Sequence, residues 1–201
     1  MLSNGARPTV PTAAAARLPT RHGEFEILAF EGPSGEEHVA LLRGDVRGGD
    51  DILVRIHSQC LTGDVLGSLR CDCGAQLEAS LCAIAANPRG GVLLYLQQEG
   101  RGIGLLNKIR AYRLQDGGLD TAEANEALGL PHDARDYAPA AAILQALDVK
   151  SVVLLTNNPR KVEGLEHHGI RVARREPLVS DATEHNGRYL EAKRVKLGHL
   201  F

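Results

Sequence analysis

The period of the hydrophobic positions changes part-way along this chain, and the change separates two kinds of structure. Apolar and polar residues alternate over 24–30, 38–42 and 52–57, with a Gly-Pro-Ser-Gly turn cluster at 32–35 and a Gly/Asp-rich segment at 44–51 between them. Alternation bounded by turn residues predicts three strands of an antiparallel or mixed sheet. Beyond residue 73 the spacing becomes helical: Leu77, Leu81, Ile84 and Ala85 share a face, and the Pro-Arg-Gly-Gly run at 88–91 ends that helix. Cys82 lies on it among alanines and leucine and reads as a buried small hydrophobe. Residues 91–96 and 151–155 are nearly continuous apolar runs, as expected of strands covered on both faces. Helices are predicted over 105–115, 121–128 and 137–147, and Pro159, at a first-turn position, opens another to about His167. Residues 170–174 suit a last strand and 188–197 a basic C-terminal helix. Strands alternating with helices predict an α/β chain, three layers around a mixed β-sheet in a single domain spanning 20–201. Residues 1–19, rich in Ala, Pro, Thr and Arg without a sustained period, read as a mobile N-terminal tail.

Composition narrows the function classes. The chain has 201 residues, 43% hydrophobic and 24% charged, enough for a real core and unlike a disordered protein. A formal net charge of -2 provides no general attraction to nucleic acid or to an anionic membrane. Aromatic residues are 3% with no Trp, which disfavours a base-stacking platform. No apolar run reaches the ~18 residues that span a bilayer, and no secretory apolar segment opens the chain. A cytoplasmic protein with reduced thiols is expected.

Three of the four cysteines, Cys60, Cys71 and Cys73, fall in one C-x10-C-x-C stretch. Thiolates are soft ligands that suit zinc, and three of them leave a tetrahedral ion one position short. Polar and glycine neighbours, with Gly74 suited to a turn, set these cysteines apart from core residues. The pattern predicts a zinc site with an open position. Two further stretches suit anions. Glu99-Gly-Arg-Gly-Ile-Gly104 places glycines at alternate positions between a strand and a helix, where backbone N–H groups and Arg101 can approach phosphate. Thr156-Asn-Asn-Pro-Arg-Lys161 follows a buried strand and opens a helix, the usual anion position in an open α/β sheet; a plain capped helix fits it equally well. Lys108, Arg110 and Arg113 on one helix could extend a basic pocket, although solvated charges are the commoner meaning of such a row.

Taken together, the runs Arg-Ile-His-Ser-Gln-Cys-Leu-Thr-Gly-Asp at 55–64, Ser-Leu-Arg-Cys-Asp-Cys-Gly at 68–74, Gln-Glu-Gly-Arg-Gly-Ile-Gly-Leu at 98–105, Asn-Lys-Ile-Arg-Ala-Tyr at 107–112 and Leu-Leu-Thr-Asn-Asn-Pro-Arg-Lys at 154–161 closely resemble GTP cyclohydrolase II, the first committed enzyme of riboflavin synthesis. The resemblance runs from about Leu18 to Leu200. It implies that Cys60, Cys71 and Cys73 bind zinc, whose water attacks C8 of guanine so that formate leaves. By the same resemblance, Arg55, Ile56, His57, Ser58, Gln59, Gln76, Glu99, Gly100, Arg101, Thr121, Thr156 and Lys161 contact GTP. Tyr112 sits beside the base, Asp133 is the proton acceptor, and Arg135 attacks or grips the α-phosphate while pyrophosphate departs. A guanidinium stays protonated, which makes electrostatic stabilisation the simpler role for Arg135. The family also implies Mg2+ with the triphosphate and a homodimer. One departure stands out: Gln59 occupies a position where the family commonly has Glu.

Three rival readings compete. A zinc nucleobase deaminase needs H-x-E with P-C-x-x-C, whereas here His57 is followed by Gln59 and the later pair is C-x-C. A non-catalytic zinc module, closed by His57 or another histidine, leaves the two anion segments without a purpose. A third reading is a paralogue that opens the ring but stops at the formamidopyrimidine nucleotide; the presence of Tyr112, Asp133 and Arg135 favours the full reaction.

Overall fold

The most apolar strands lie at the centre of one sheet and the alternating ones toward its edges, as burial on two faces or one requires. The computed structural model describes residues 12–178. Its strands are β1 (Thr12–Thr20), β2 (Gly23–Glu31), β3 (Glu37–Arg43), β4 (Ile52–Ser58), β5 (Gly91–Leu96), β6 (Ser151–Leu155) and β7 (Arg171–Glu176). They form a seven-stranded sheet in the order β1-β2-β3-β5-β4-β6-β7. The β1-β2-β3-β5 side is antiparallel, and β5, β4, β6 and β7 are mutually parallel. The helices are α1 (Leu61–Asp64), α2 (Cys73–Ala86), α3 (Leu105–Asp116), α4 (Thr121–Ala127), α5 (Ala138–Ala146) and α6 (Pro159–His167), with a 3-10 turn at Glu99–Gly102.

Period-two alternation sends the strand side chains to opposite faces. On one face Leu93 packs with Phe25 and with Ile84 of α2. On the other, Val92, Leu94 and Leu96 join Val54, Ile56, Val152 and Leu154 beneath Ile143 and Leu144 of α5 and Leu165 of α6. The three-layer α/β arrangement is therefore the one the sequence predicts.

Chain direction also positions the site. From β4 the chain crosses by α2 to β5 on one side of β4, then returns through α5 to β6 on its other side. Strand order thus reverses about β4, and the carboxyl ends of β4, β5 and β6 open onto a common crevice, the usual ligand position in such sheets. Among the described residues no helix is long and apolar enough to cross a membrane.

Two expectations need correction. Order begins earlier than residue 20, because residues 12–20 form β1, paired antiparallel with β2 from Thr12↔Phe30 to Thr20↔Gly23. Alanine-rich sequence carries little intrinsic strand signal, and the pairing edge of β2 decides the conformation. Cys82 is exposed and not buried, because α2 turns Ile84 to the sheet and leaves the Cys82 side outward. The helix expected at 188–197 and residues 1–11 lie outside the described residues.

One buried polar group makes the fold pH-sensitive. His38 in β3 is 1% exposed, and its Nδ1 accepts from the backbone N–H of Gln97 at 3.2 Å. Burial lowers its pKa from 6.5, and the nearby Glu36 only partly opposes this. The unfolded chain therefore binds a proton at a pH where the folded chain does not, and stability falls as pH drops below about 6.5. We predict that His38→Asn, which keeps an acceptor near the Nδ1 position, flattens the fall in unfolding free energy between pH 7.5 and 5.5, as measured by denaturant titration.

Candidate functional site

Immediately after β4 the chain turns through Gln59 and Cys60 into α1, and a single buried carboxylate organises this turn. Asp64 accepts from the backbone N–H of Cys60 at 2.9 Å, from Tyr95 Oη at 2.9 Å, and lies 3.0 Å from His57 Nε2. Tyr95 also stacks on the His57 ring, with centroids 5.6 Å apart. Cys73 opens α2 and Cys71 precedes it, so the Cys-x-Cys pair meets Cys60 across the α1–α2 turn.

Sγ of Cys60 is 3.7 Å from Sγ of Cys71, and all three sulfurs lie within 4.8 Å of one another. A tetrahedral zinc with ~2.3 Å bonds has S···S edges of about 3.8 Å, so the donors fit that ion. Gly63 makes the space. A Cβ there would stand 2.8 Å from Cys71 Sγ and 3.2 Å from Cys60 Sγ. A Cβ on Gly74 would stand 2.4 Å from the Gly63 carbonyl oxygen. These glycines are required by close approach, which is a stronger reason than turn propensity.

One buried cation reaches the triad. Lys108 Nζ donates to Cys60 Sγ at 3.1 Å and to Glu99 Oε1 at 2.7 Å. Burial alone would lower the Lys108 pKa, but these two anionic partners raise it above the ordinary lysine value. The Cys60 thiol is driven well down by hydrogen bonds from Cys71 and Cys73, then by Lys108, while the two donor thiols go up in exchange. The carboxylate of Glu99 is fully engaged: besides Lys108 it accepts from the N–H of Leu61 at 2.7 Å and of Gly100 at 2.9 Å.

From the cysteines an open cleft extends over the ends of β4, β5 and β6. Arg55, His57 and Ser58 line it along β4, Thr156, Asn158 and Lys161 stand beyond β6, and Arg101 and Arg135 flank it. Three buried polar atoms of β4, Arg55 Nε, His57 Nδ1 and Ser58 Oγ, have no hydrogen-bond partner among the described residues. Orphaned groups of this kind cost free energy unless a ligand or water meets them. His57 stays neutral because burial lowers its pKa more than Asp64 raises it. With Nε2–H given to Asp64, its Nδ1 is an acceptor.

A model of the GTP cyclohydrolase II family matches residues 11–177. The chain belongs to that family. The GTP cyclohydrolase-2 of Pseudomonas paraeruginosa is 58% identical over 193 residues, covering 96% of this chain and 94% of the relative. That of Picrophilus torridus is 54% identical over 186 residues, covering 92% and 96%. The riboflavin biosynthesis protein RibBA of Bacillus subtilis is 57% identical over 185 residues, 91% of this chain but 46% of the longer relative.

Most of the residues expected from the GTP cyclohydrolase II resemblance face this one cleft. Arg55, His57, Ser58, Gln59, Gln76, Glu99, Gly100, Arg101, Tyr112, Thr121, Arg135, Thr156 and Lys161 all line it, with the three cysteines. Two do not. Ile56 is fully buried in the core, and only its carbonyl points toward the site, accepting from Lys161 Nζ at 2.7 Å. Asp133 lies behind Arg135, accepting from its Nε at 2.8 Å and its terminal nitrogen at 2.6 Å. Burial would raise the Asp133 pKa, but Arg135 holds it below the ordinary value. Arg55 is likewise committed. It donates to the Leu155 carbonyl at 3.0 Å and to Gln76 Oε1 at 2.6 Å, and burial lowers its pKa to about 10 against the pull of Cys73 and Asp72.

The two phosphate-like segments work differently from simple backbone cradles. Gly100, Arg101 and Gly102 have positive φ in succession, one of them a non-glycine, and Gly104 does so again after Ile103 at φ -84°. Gly102 is needed because a Cβ would stand 2.9 Å from the Ala134 carbonyl oxygen. Arg101 holds the same neighbour, its carbonyl accepting from Ala134 N–H at 3.0 Å. The loop thereby fixes the Asp133–Arg135 turn and carries Arg101 in a conformation that costs about 1–2 kcal/mol outside glycine. At α6 the capped-helix reading is also true: Asn158 caps Arg160 N–H at 3.0 Å, while Lys161 on the first turn still reaches the cleft. Sequence reasoning passed over Asp64 and treated Lys108 as one of a solvated row. The row splits, with Lys108 buried at 8% and Arg110 and Arg113 exposed. For Asp64 the available signal was its place in the Cys-Leu-Thr-Gly-Asp run, one turn beyond the first cysteine.

The tight packing of Gly63 generates a direct test. Gly63→Ala should lower zinc content by forcing Cys71 and Cys60 apart, while the sheet remains folded by circular dichroism. Full zinc occupancy in this variant, measured by elemental analysis, would show that the sulfurs do not need the space Gly63 leaves.

Proposed function

We propose that this chain hydrolyses GTP, opening the guanine imidazole ring and releasing formate and pyrophosphate to give 2,5-diamino-6-(5-phosphoribosylamino)pyrimidin-4(3H)-one, the first step of riboflavin biosynthesis. The observation that carries this reading is one cleft that joins a three-cysteine cage to a wall of cations, Arg101, Arg135 and Lys161. An open tetrahedral site beside an anion-binding wall suits a substrate with a hydrolysable ring and a polyphosphate. A closed zinc module would not need that wall, and the deaminase signature is missing from the sequence.

Cys60, Cys71 and Cys73 would hold zinc, which would supply Lewis acidity for activating water. Three thiolates donate much negative charge and weaken that acidity. The Lys108 N–H···S contact withdraws density from Cys60 and offsets part of it. His57 Nδ1, Ser58 Oγ and Arg55 Nε–H offer an acceptor, a donor–acceptor and a donor to the base or ribose. Tyr112, whose hydroxyl lies 3.3 Å from Thr62 Oγ1, closes the metal side of the cleft. Gln59, in place of the family's usual Glu, keeps hydrogen bonding without adding a charge beside the cysteines.

Arg101, Arg135 and Lys161 would receive the phosphates. Arg135 suits a clamp on the α-phosphate, its planar fork already aligned by Asp133. Asp133 in this conformation is a carboxylate tied to a guanidinium, so its service as proton acceptor requires that pair to open. Mg2+ would enter with the triphosphate, whose oxygens are its preferred ligands. Exposed Val65, Leu66, Leu69, Leu106 and Ile109 cluster in sequence around α1 and along α3, an apolar surface that a homodimer would cover. Four free cysteines suit the reducing cytoplasm, and the catalytic unit includes β1 from Thr12 onward.

Incubation with GTP, zinc and magnesium, followed by mass analysis, should yield formate, pyrophosphate and the diaminopyrimidine nucleotide. A formamidopyrimidine nucleotide as the end product would replace this reading with the truncated reaction. Arg135→Ala should slow pyrophosphate release severely, whereas metal removal should block formate release first; near-normal pyrophosphate release would take Arg135 out of the chemistry. Lys108→Met should lower zinc affinity by about 10- to 100-fold, the usual effect of losing a partner of a metal ligand. Competition with a chromophoric chelator reads this without any turnover.

A further inference from the structure

A second cluster of metal-donor side chains lies toward the opposite end of α2 from Cys73. Glu78 and Cys82 are one helical turn apart and project from the same face. His22 sits in the two-residue turn between β1 and β2 and packs against both. Its Nδ1 is 3.5 Å from Cys82 Sγ and its Nε2 is 3.4 Å from Glu78 Oε2. Taking one donor atom from each residue, the three lie within 4.8 Å of one another. The cysteine cage is the one other such group among the described residues.

We propose that His22, Glu78 and Cys82 form a second metal site, of lower affinity than the cysteine cage, that takes zinc. A thiolate, an imidazole and a carboxylate make a borderline donor set that suits zinc and does not suit magnesium or calcium. With zinc bonds of ~2.3 Å to sulfur and ~2.0–2.1 Å to nitrogen or oxygen, a tetrahedron has S···N and N···O edges of about 3.5 and 3.4 Å. Both observed contacts match those edges, but they use opposite ring nitrogens. Binding through a single nitrogen requires the remaining edge to close from at most 4.8 Å, a movement open to the exposed Glu78 and Cys82. The His22 imidazole, only 9% exposed, is the fixed member.

A cation already occupies the place between imidazole and carboxylate. Arg21 Nε donates to His22 Nε2 at 3.1 Å, and its guanidinium pairs with Glu78. Its side chain is 77% exposed and can turn out to solvent. Metal entry then balances as follows: the Cys82 thiol gives up its proton to water, thiolate and carboxylate neutralise the dication, neutral His22 lends a lone pair, and water completes the shell. Cys73 and Cys82 are nine residues apart, about 13.5 Å along the helix axis, so the two ions bind independently. An ion here would tie the β1–β2 turn to the outer face of α2.

Titrating the metal-free full chain with zinc against a chromophoric chelator, and with cobalt while recording thiolate charge-transfer absorption, tests the assignment. The wild-type chain should take two ions, and Cys82→Ser or His22→Ala should each leave one. Cys60→Ser should abolish the tight phase and keep the weak one. Arg21→Gln should tighten the weak phase by a factor of about 2–5, the equivalent of one exposed ion pair. A wild-type chain that takes a single ion, or a His22→Ala chain that still takes two, would overturn the proposal; the latter would mean that Cys82 binds metal without its imidazole neighbour.

Discussion

The buried Asp64 carboxylate is the contact on which the arrangement of the site depends. Its side chain is 2% exposed, and it is met by the Cys60 amide, the Tyr95 hydroxyl and the His57 ring. These partners come from the turn after β4, from β5 and from β4 itself. One carboxylate therefore ties the first cysteine to two central strands and sets the tautomer of the histidine that faces the cleft. Hydrogen bonds to a charged acceptor are worth about 1.5–3 kcal/mol each, and a buried charge that loses its partners costs several more. Asp64 thus joins the Cys60 backbone to β4 and β5 through one side chain.

A second network extends outward from the same turn. Glu99 accepts from Leu61 N–H, Gly100 N–H and Lys108, and Lys108 reaches Cys60. The glycine-rich loop, α3 and the cysteine turn are thus held by one buried ion pair with matched charges. Across the cleft, Asp133 and Arg135 form another, braced by the glycine-rich loop through Ala134. The cations of the cleft differ in consequence. Arg55 is held by the Leu155 carbonyl and Gln76, Lys161 by the Ile56 carbonyl, and Arg135 by the Asp133 carboxylate.

The metal donors, the glycine-rich turn and the helix-opening Thr156–Lys161 run were legible in the sequence because each is local: spacing, residue type and flanking turn residues determine them. The buried strands and helix starts were legible for the same reason, since hydrophobic period and Pro159 act within a few residues. Alternation near the N-terminus was not, because the alanine-rich β1 becomes a strand only when the edge of β2 is there to pair with it. Cys82 was misjudged through a helical face whose direction is decided by Ile84 meeting the sheet.

The sequence by itself determined the donor chemistry, the α/β class and the family, since these rest on residue identity and period. Only the tertiary structure decided which charges matter. Lys108 and Arg113 look alike on one helix, yet one is buried against a thiolate and the other is solvated. Asp64, Glu99 and Asp133 look alike as surface acids, yet each holds a different part of the site through partners that are distant in the chain. Electrostatic worth depends on burial and on the nearest opposite charge, and both are properties of the folded neighbourhood, which no local pattern carries.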